Sequence, residues 1–420
     1  MKRVFSFFTT LFFLTFFIVS PPQVMGEEKE ESSGSSFFKD NLFVFANFSA
    51  NGVYSKLLNG SAITGGFANG YLAPAVKIND QLFFMVIGNG FYKKSKQVYK
   101  EDQGTRLSSE ALSYTVTPKL KINLTDAFSV SPSFFYTRFL SKQTTDVEWG
   151  YDLYDYYDIG AGIDFSYQIE KTDASIRKAN FGVQMYKRTY PNFISLLTLA
   201  GLGNLEEKEK DHDGVLVMGD YSSFQDKGLS YKVSGSILFK DFIDKKLEND
   251  IGGRDQIAQR DQTYTVALDL SYKPENEFTY SLVSTGVYNQ SNQHLAEGTF
   301  PAINLRRNYY SYYSLTEKVG VNYTHELEND KAFSLGGTYS ISYQRYLGRL
   351  AKDVNGLVTG QKEVDINHEF GAKASYKFHE NWEAGGSATF QAARSNVKDE
   401  STFRYKYELL TVYLGITFNY

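Results

Sequence analysis

Among the catalytic residue types that this 420-residue chain contains, histidine is the scarcest, with five residues, and cysteine is absent. One of the five, His368, alternates with apolar neighbours and therefore shares their face of a strand. A histidine there could activate a nearby serine, but no serine motif accompanies it. The other four fall in loops, in a turn or at a strand end, where solvated or interfacial histidines are ordinary; they are His212, His294, His325 and His379. We therefore predict that the protein is not an enzyme.

Metal and cofactor chemistry has equally little support. The acidic run Glu206 to Asp213 ends in Asp211-x-Asp213-Gly214, a fragment of a calcium-loop pattern whose further ligands and closing Glu are absent. With no cysteine, a thiolate site, a disulfide and a lipid anchor are excluded. We expect no cofactor and no bound metal, and interpret the run as a charged, solvated loop.

Two other stretches could contact a solute. The first precedes Asp158 and combines rings with acids, a composition that binds sugars by stacking and hydrogen bonding; its candidates are Trp149, Tyr151, Asp152 and Tyr154. The second, Pro191 to Leu205, is uncharged and apolar, so it should fold inward, pack on a rim or meet a partner. Its candidates are Phe193, Leu196 and Leu197.

The elements that would position these residues are strands. From about Asn41 the chain divides into segments of roughly ten or more residues with period-two alternation, the length that a tilted strand needs to cross a membrane. Its 32 Tyr and 34 Phe with a mean hydropathy of only -0.36 suit a wall with apolar side chains outside and polar ones inside. We predict an all-β, antiparallel, up-and-down transmembrane barrel over residues 41–420.

The spacing of turns and loops sets the strand count. Short turns at one end alternate with long loops at the other, and the alternation holds only if Val215 to Phe224 is a weak strand. The count is then about sixteen, with fourteen or eighteen as alternatives. The predicted short turns are 79–81, 123–127, 171–175, 225–228, 274–277, 328–331 and 379–381; the predicted long loops are 56–64, 93–105, 140–154, 191–213, 244–261, 291–307, 348–362 and 395–402.

Charged residues on the predicted inner face have both signs. Such a wall sets up a transverse field in a water-filled lumen and leaves the choice between cations and anions open. The lumen-lining candidates are Asp164, Lys232, Asp269, Lys318, Glu369 and Lys373.

The N-terminus carries Lys2 and Arg3, a Phe- and Leu-rich apolar run and then two prolines. This order is typical of a secretory signal peptide, which we place at residues 1–26. Residues 27–40 are acidic and rich in Ser and Gly, typical of a disordered periplasmic leader. Removal of Lys2 and Arg3 changes the net charge from -4 to about -6, so nucleic acid is an unsuitable partner.

The last strand carries the most specific motif, which consists of Tyr413, Gly415, Phe418 and Tyr420. Its terminal aromatic, second aromatic and glycine resemble the C-terminal signal by which the barrel-assembly machinery recognises bacterial outer-membrane barrels. The resemblance covers the last eight residues and implies an outer-membrane location, with both termini and the short turns in the periplasm. In layout the chain is similar to porins, and no specific family matches.

Three functions follow from this layout. The leading hypothesis is a channel for passive diffusion of small polar solutes, since about sixteen strands leave an aqueous lumen. The alternative is an occluded barrel whose long loops act in surface binding, adhesion, secretion or assembly. The third is a lipid hydrolase, because outer-membrane phospholipases place a serine and a histidine on the lipid-facing wall. Expected partners are membrane lipid, lipopolysaccharide and the assembly machinery, and the layout allows a homo-oligomer.

Overall fold

The computed structural model describes residues 41–58, 60, 62–98, 108–142, 148–194, 208–248, 254–275, 277–297, 304–399 and 406–420. The predicted signal peptide and leader lie outside them, as do Leu196 and Leu197. The described strands are β1 Leu42–Leu57, β2 Ala62–Lys77, β3 Leu82–Val98, β4 Ser108–Asn123, β5 Phe128–Lys142, β6 Tyr156–Lys171, β7 Ser175–Thr189, β8 His212–Gln225, β9 Gly228–Glu248, β10 Arg254–Lys273, β11 Phe278–Ser291, β12 Leu295–Glu297, β13 Asn304–Arg306, β14 Tyr312–Glu326, β15 Ala332–Lys352, β16 Val358–His379, β17 Trp382–Ser395 and β18 Tyr407–Asn419.

Sixteen of these strands form one closed antiparallel barrel in chain order, and β12 pairs with β13 in a separate small hairpin between β11 and β14. The predicted count of sixteen is confirmed. The strand predicted at Val215 to Phe224 is confirmed as part of β8. No helix in the described ranges is long and apolar enough to span a membrane.

The barrel closes where the first and last strands meet. Ala50 pairs with Ile416 in the middle of the β1–β18 ladder. At its end, the backbone N–H groups of Ala46 and Tyr420 each donate to the other residue's carbonyl, at 2.9 and 2.8 Å. Closure pairs the edges that an open sheet would leave without hydrogen bonds, which a membrane requires.

Apolar side chains cover the outer face of the wall. On β6, Ile159 and Ile163 are 45% and 37% exposed, and they alternate with the inward Asp158 and Asp164. Few apolar side chains in the described ranges are buried, and half of those are alanines. The hydrophobic surface of this fold therefore points outward, as lipid contact demands.

Aromatic side chains ring both ends of the outer face. At the long-loop end, Tyr136 lies between Tyr114 and Tyr157, with ring centroids 6.3 and 6.5 Å away. At the short-turn end, Phe418 packs against Trp382 at 4.9 Å and Phe48 at 6.5 Å. Two such girdles are typical of membrane barrels, where they mark the two interfaces.

Three predicted loops were placed too broadly, and the first is 93–105, into which β3 continues to Val98. In place of a loop over 244–261, β9 continues to Glu248 and β10 begins at Arg254. In place of a loop over 348–362, β15 continues to Lys352 and β16 begins at Val358. The last two hairpins carry irregular register in these extensions. Beyond the membrane a strand needs backbone pairing and no longer needs apolar alternation, so the sequence pattern ended early.

Candidate functional site

The inner face of the wall carries the charged side chains. One continuous line of register partners crosses six strands from β9 to β16. It contains four of the predicted lumen-lining residues and consists of Lys232, Asp269, Val283, Lys318, Ser340 and Glu369. The other two, Asp164 and Lys373, lie on the same face beside Gly182 and Gly336. That these six side chains contact a solute remains a prediction.

Some inner-face charges are neutralised within the wall. Lys119 on β4 reaches across β5 to Asp164, with Nζ 2.6 Å from Oδ2. Lys232 lies 4.0 Å from Asp220, which also accepts a hydrogen bond from Asn180. Among the described residues, four predicted lumen-lining side chains have no ion pair within 4.0 Å and can act on mobile ions; they are Asp269, Lys318, Glu369 and Lys373.

A bidentate ion pair joins β6 to β7 near the long-loop end. Nε and Nη2 of Arg188 donate to Oδ1 and Oδ2 of Asp158, each at 2.7 Å. The guanidinium carbon lies 3.9 Å from the ring centroid of Tyr156. Such a fork fixes both side chains in one orientation. The Arg188 cluster, formed by these three residues, is therefore a rigid part of the inner wall.

The two predicted solute-contacting loops pack against each other. The side chain of Asn192 donates to the carbonyls of Gly150 and Asp152 at 2.7 and 3.2 Å. The rings of Tyr154 and Phe193 lie 6.5 Å apart. The structure thus brings Asp152, Tyr154 and Phe193 together at the long-loop end.

Other members of the predicted aromatic loop differ in their exposure. Asp152 is buried, and its Oδ1 accepts a hydrogen bond from the backbone of Tyr154 at 3.0 Å. Trp149 packs under the Lys142 ammonium at 5.5 Å. Tyr151 is 72% exposed and is the ring in this loop that is freest to contact a solute.

Asp155 closes the base of the same loop. Its Oδ1 accepts a hydrogen bond from the backbone N–H of Ser141 at 2.6 Å, and its Oδ2 is buried without a hydrogen-bond partner. Burial raises the pKa of the Asp155 carboxyl above its ordinary value, and the hydrogen bonds from the backbones of Ser141 and Asp152 offset part of the rise.

The interpretation of His212 as a solvated loop residue was wrong. It begins β8 and is only 4% exposed. Its ring lies between those of Tyr186 and Phe242, at 5.9 and 5.2 Å. The nearby Asp211 is also buried, and its carboxylate accepts a hydrogen bond of 2.8 Å from the backbone N–H of Tyr190. The end of the acidic run is therefore fixed to β7 and β9 by the contacts of Asp211 and His212.

A recess of about 660 Å³ opens in the inner wall between β15 and β18. At its edge, the Arg349 guanidinium lies 3.9 Å from the ring centroid of Tyr346 and 4.9 Å from that of Tyr309. Arg349 also contacts the buried Glu363 at 3.4 Å. The rest of the polar lining comprises Ser342, Gln344, Asp365, Asn367, Gln391, Arg394 and Tyr407.

Two acceptors in this recess lack hydrogen-bond donors. Oδ1 of Asp365 and Oδ1 of Asn367 are buried and unpaired in the described part of the chain. An unpaired buried acceptor costs about 1–3 kcal/mol. Sequence reasoning missed Arg349 and Tyr346; the inward alternation of Ser342 and Gln344, continued by two residues, leads to Tyr346.

The four residues of the C-terminal motif divide between the two faces. Phe418 lies in the outer girdle, and its ring stacks on Tyr420 at 6.5 Å. Tyr413 faces inward and packs edge-on against Phe67 at 5.9 Å. A Cβ at Gly415 would collide with the side chain of Asn51 and with a carbonyl of β1. Gly415 therefore has a packing role at the seam.

His368 lies on the outer face, as its alternation predicts. Nδ1 is 2.9 Å from the hydroxyl oxygen of Tyr339. In the described ranges, no three or more His, Asp or Glu side chains come together as metal ligands would.

The closed sixteen-stranded wall, its apolar outer face and its aromatic girdles define the class of fold: this chain is an antiparallel, up-and-down transmembrane β-barrel. No protein-family profile matches the chain. No curated protein matches it either.

Solved structures of outer-membrane proteins are similar along nearly the whole chain. OprB of Pseudomonas putida has 11% identity and a TM-score of 0.48, covering 92% of this chain and 96% of OprB. OmpF of Salmonella typhi, in complex with daunomycin, has 14% identity and a TM-score of 0.41, covering 90% and 98%. A bacterial polysaccharide outer membrane secretin has 11% identity and a TM-score of 0.43, covering 89% and 98%.

Proposed function

We propose that this protein is a porin-like channel for passive diffusion of small polar solutes. The structure of the wall supports this proposal most strongly. Sixteen strands close around a polar inner face, and some charged side chains on that face have no ion-pair partner among the described residues. A barrel of this size encloses a space that side chains alone do not fill. Water and small polar molecules would occupy that space.

The recess between β15 and β18 supports a brief contact with the passing solute. The recess is lined by the acids Glu363 and Asp365 and by the cations Arg349 and Arg394, of which Arg394 is paired with Glu408. Amide and tyrosine groups supply further hydrogen bonds, and about 660 Å³ is within the usual range for small-molecule sites. Solutes with hydroxyl or amino groups fit this lining best.

Liposome swelling tests the diffusion proposal directly. Proteoliposomes are diluted into isotonic solutions of arabinose, glucose, sucrose or raffinose, and swelling is followed by light scattering. A diffusion channel predicts rates that fall steadily with solute size. Liposomes with a folded barrel that swell no faster than empty ones would overturn the proposal.

One observation favours the alternative role in surface binding. At the tip of the β15–β16 hairpin, Val354 and Leu357 are 71% and 65% exposed. Exposed apolar side chains on an extracellular hairpin suit contact with another macromolecule. The double variant Val354→Ser with Leu357→Ser should lose a surface partner if binding is the main role, and should leave solute flux unchanged if diffusion is.

For the enzyme hypothesis, the sharp test is His368→Ala. We propose that the His368 contact with Tyr339 is structural, so lipid hydrolysis by purified protein should be absent before and after this change. Hydrolysis that disappears in the variant would establish the hydrolase instead.

A further inference from the structure

An unusual polar group lies on the lipid-facing side of β14. Glu317 is on the outer face, between Leu315 and Val319, which are 47% and 48% exposed. On the same strand and face, Tyr313 lies toward the long-loop girdle and Tyr323 toward the short-turn girdle. Glu317 is therefore within the apolar band, where a carboxyl group is costly to place against hydrocarbon.

Only one oxygen of this carboxyl group has a hydrogen-bond partner among the described residues. Oε1 of Glu317 accepts a hydrogen bond of 2.7 Å from the hydroxyl of Ser284 on the neighbouring strand β11. No described residue donates to Oε2, and that atom is not enclosed by the wall. A hydrogen-bonding group from outside this chain can reach it.

A second polar pair lies two strands away on the same register line. Glu317 pairs with Ile341 on β15, and Ile341 pairs with His368 on β16. His368 contacts the Tyr339 hydroxyl through Nδ1. Its Nε2 has no hydrogen bond among the described residues and is not enclosed. The outer face thus presents a free acceptor at one edge and a free imidazole nitrogen at the other.

Small side chains lie among larger ones on the outer wall beside these two pairs. Outward positions on β15, β16 and β17 include Gly337, Ala372, Ala374, Gly386 and Ala388, which let another surface approach closely between the bulkier Tyr339, Ile341, Phe370 and Phe390. These five small residues form the outer patch together with Ser284, Glu317, Tyr339 and His368.

We propose that the outer patch is the interface between two copies of this barrel, with Glu317 of one copy hydrogen-bonded to His368 of its neighbour. A second copy of the chain fits this surface, because the outer patch contains both the carboxylate acceptor of Glu317 and the imidazole nitrogen of His368 that can hydrogen-bond to it. Lipid tails offer neither group. A surface that pairs with itself generates a closed assembly of identical subunits.

Crosslinking in the native membrane locates the interface. The chain has no cysteine, so a single introduced one reports one position. Ala372→Cys lies in the outer patch, and Ala161→Cys is a matched control, exposed on the outer face of β6 on the far side of the barrel. With a short membrane-permeant bismaleimide, Ala372→Cys should form crosslinked dimers and Ala161→Cys should not. Equal crosslinking, or crosslinking of Ala161→Cys alone, would overturn the proposal.

Replacement of Glu317 distinguishes a residue that binds a second copy from a carboxyl group that only faces lipid. Glu317→Leu should reduce the oligomeric fraction measured by light scattering in mild detergent, and His368→Leu should do the same. If Glu317 faces lipid, Leu would raise the unfolding temperature and leave the oligomeric state unchanged, which contradicts the proposal. A wild-type protein that is monomeric in native membranes also contradicts it.

Discussion

Arg188 donates two parallel hydrogen bonds of 2.7 Å to Asp158, and the same guanidinium lies over the ring of Tyr156. Strands β6 and β7 are thereby joined by side chains as well as by backbone pairing. The Asp158 side chain is only 9% exposed, and Arg188 occupies both of its carboxylate oxygens.

Removal of the guanidinium should therefore destabilise the barrel. Arg188→Gln leaves Asp158 with an unpaired, largely buried charge and should lower the free energy of unfolding by about 3 kcal/mol. Urea titration of the refolded protein in detergent measures this. In the double variant with Asp158→Asn, the loss should be clearly smaller. If the two single losses simply add, the two side chains are not coupled and the cluster does not act as a unit.

Charges without partners on the inner wall should control ion preference. Glu369 lies on β16 in line with Asp365, and neither has an ion pair within 4.0 Å among the described residues. Asp365→Asn with Glu369→Gln should shift the reversal potential in a salt gradient toward anions. Lys318→Gln with Lys373→Gln is the matched opposite change and should shift it toward cations. Two shifts of the same sign would show that these side chains do not face the ion path.

The glycine of the C-terminal motif should be needed for packing at the seam. A methyl group at Gly415 would collide with Asn51 and the β1 backbone, so Gly415→Ala should cost about 1–3 kcal/mol and reduce the folded yield. Gly286→Ala is the control, since a methyl group there would meet no atom within 4 Å. The heat-modifiable gel shift of folded barrels reports the yield. Equal yields for the two variants would refute this packing role.

The loop closed by Asp155 should become firmer in acid. The folded state raises the pKa of this carboxyl, so its protonated form is favoured by folding. The resulting stability is complete below the ordinary pKa of 3.8 and is lost as the pH rises through the elevated value. Protection of residues 148–155 against hydrogen exchange, expressed relative to the intrinsic exchange rate at each pH, should therefore rise on acidification.

The variant Asp155→Asn separates this group from other titrating side chains. It should raise the protection at neutral pH and remove most of the pH dependence of that protection. Asp353→Asn, in the β15–β16 hairpin, is the control and should leave exchange of residues 148–155 unchanged. Unaltered acid dependence in Asp155→Asn would assign the effect to another group.

The sequence predicted those features that depend on the alternation within one strand. Parity alone predicts that Asp164 lies on the inner face, and the need to alternate short turns with long loops predicts β8. The class of fold and the strand count follow from these local rules, because membrane crossing leaves few other solutions.

Features that depend on neighbouring strands were not predictable in this way. The burial of His212 requires rings from β7 and β9, and Arg349 meets Glu363 only because β15 and β16 extend past the girdle. Register between strands and pairing outside the membrane leave no periodic mark in a single sequence. The recess therefore became visible only in the folded chain.

The proposed diffusion channel requires an open aqueous lumen, which single-channel recording of the refolded protein in a planar bilayer can detect. An open lumen predicts stepwise, long-lived conductance increments that persist at low voltage and change in ion preference in the Asp365→Asn, Glu369→Gln variant. A bilayer that stays silent after insertion of correctly folded barrel, verified by the gel shift, would contradict it.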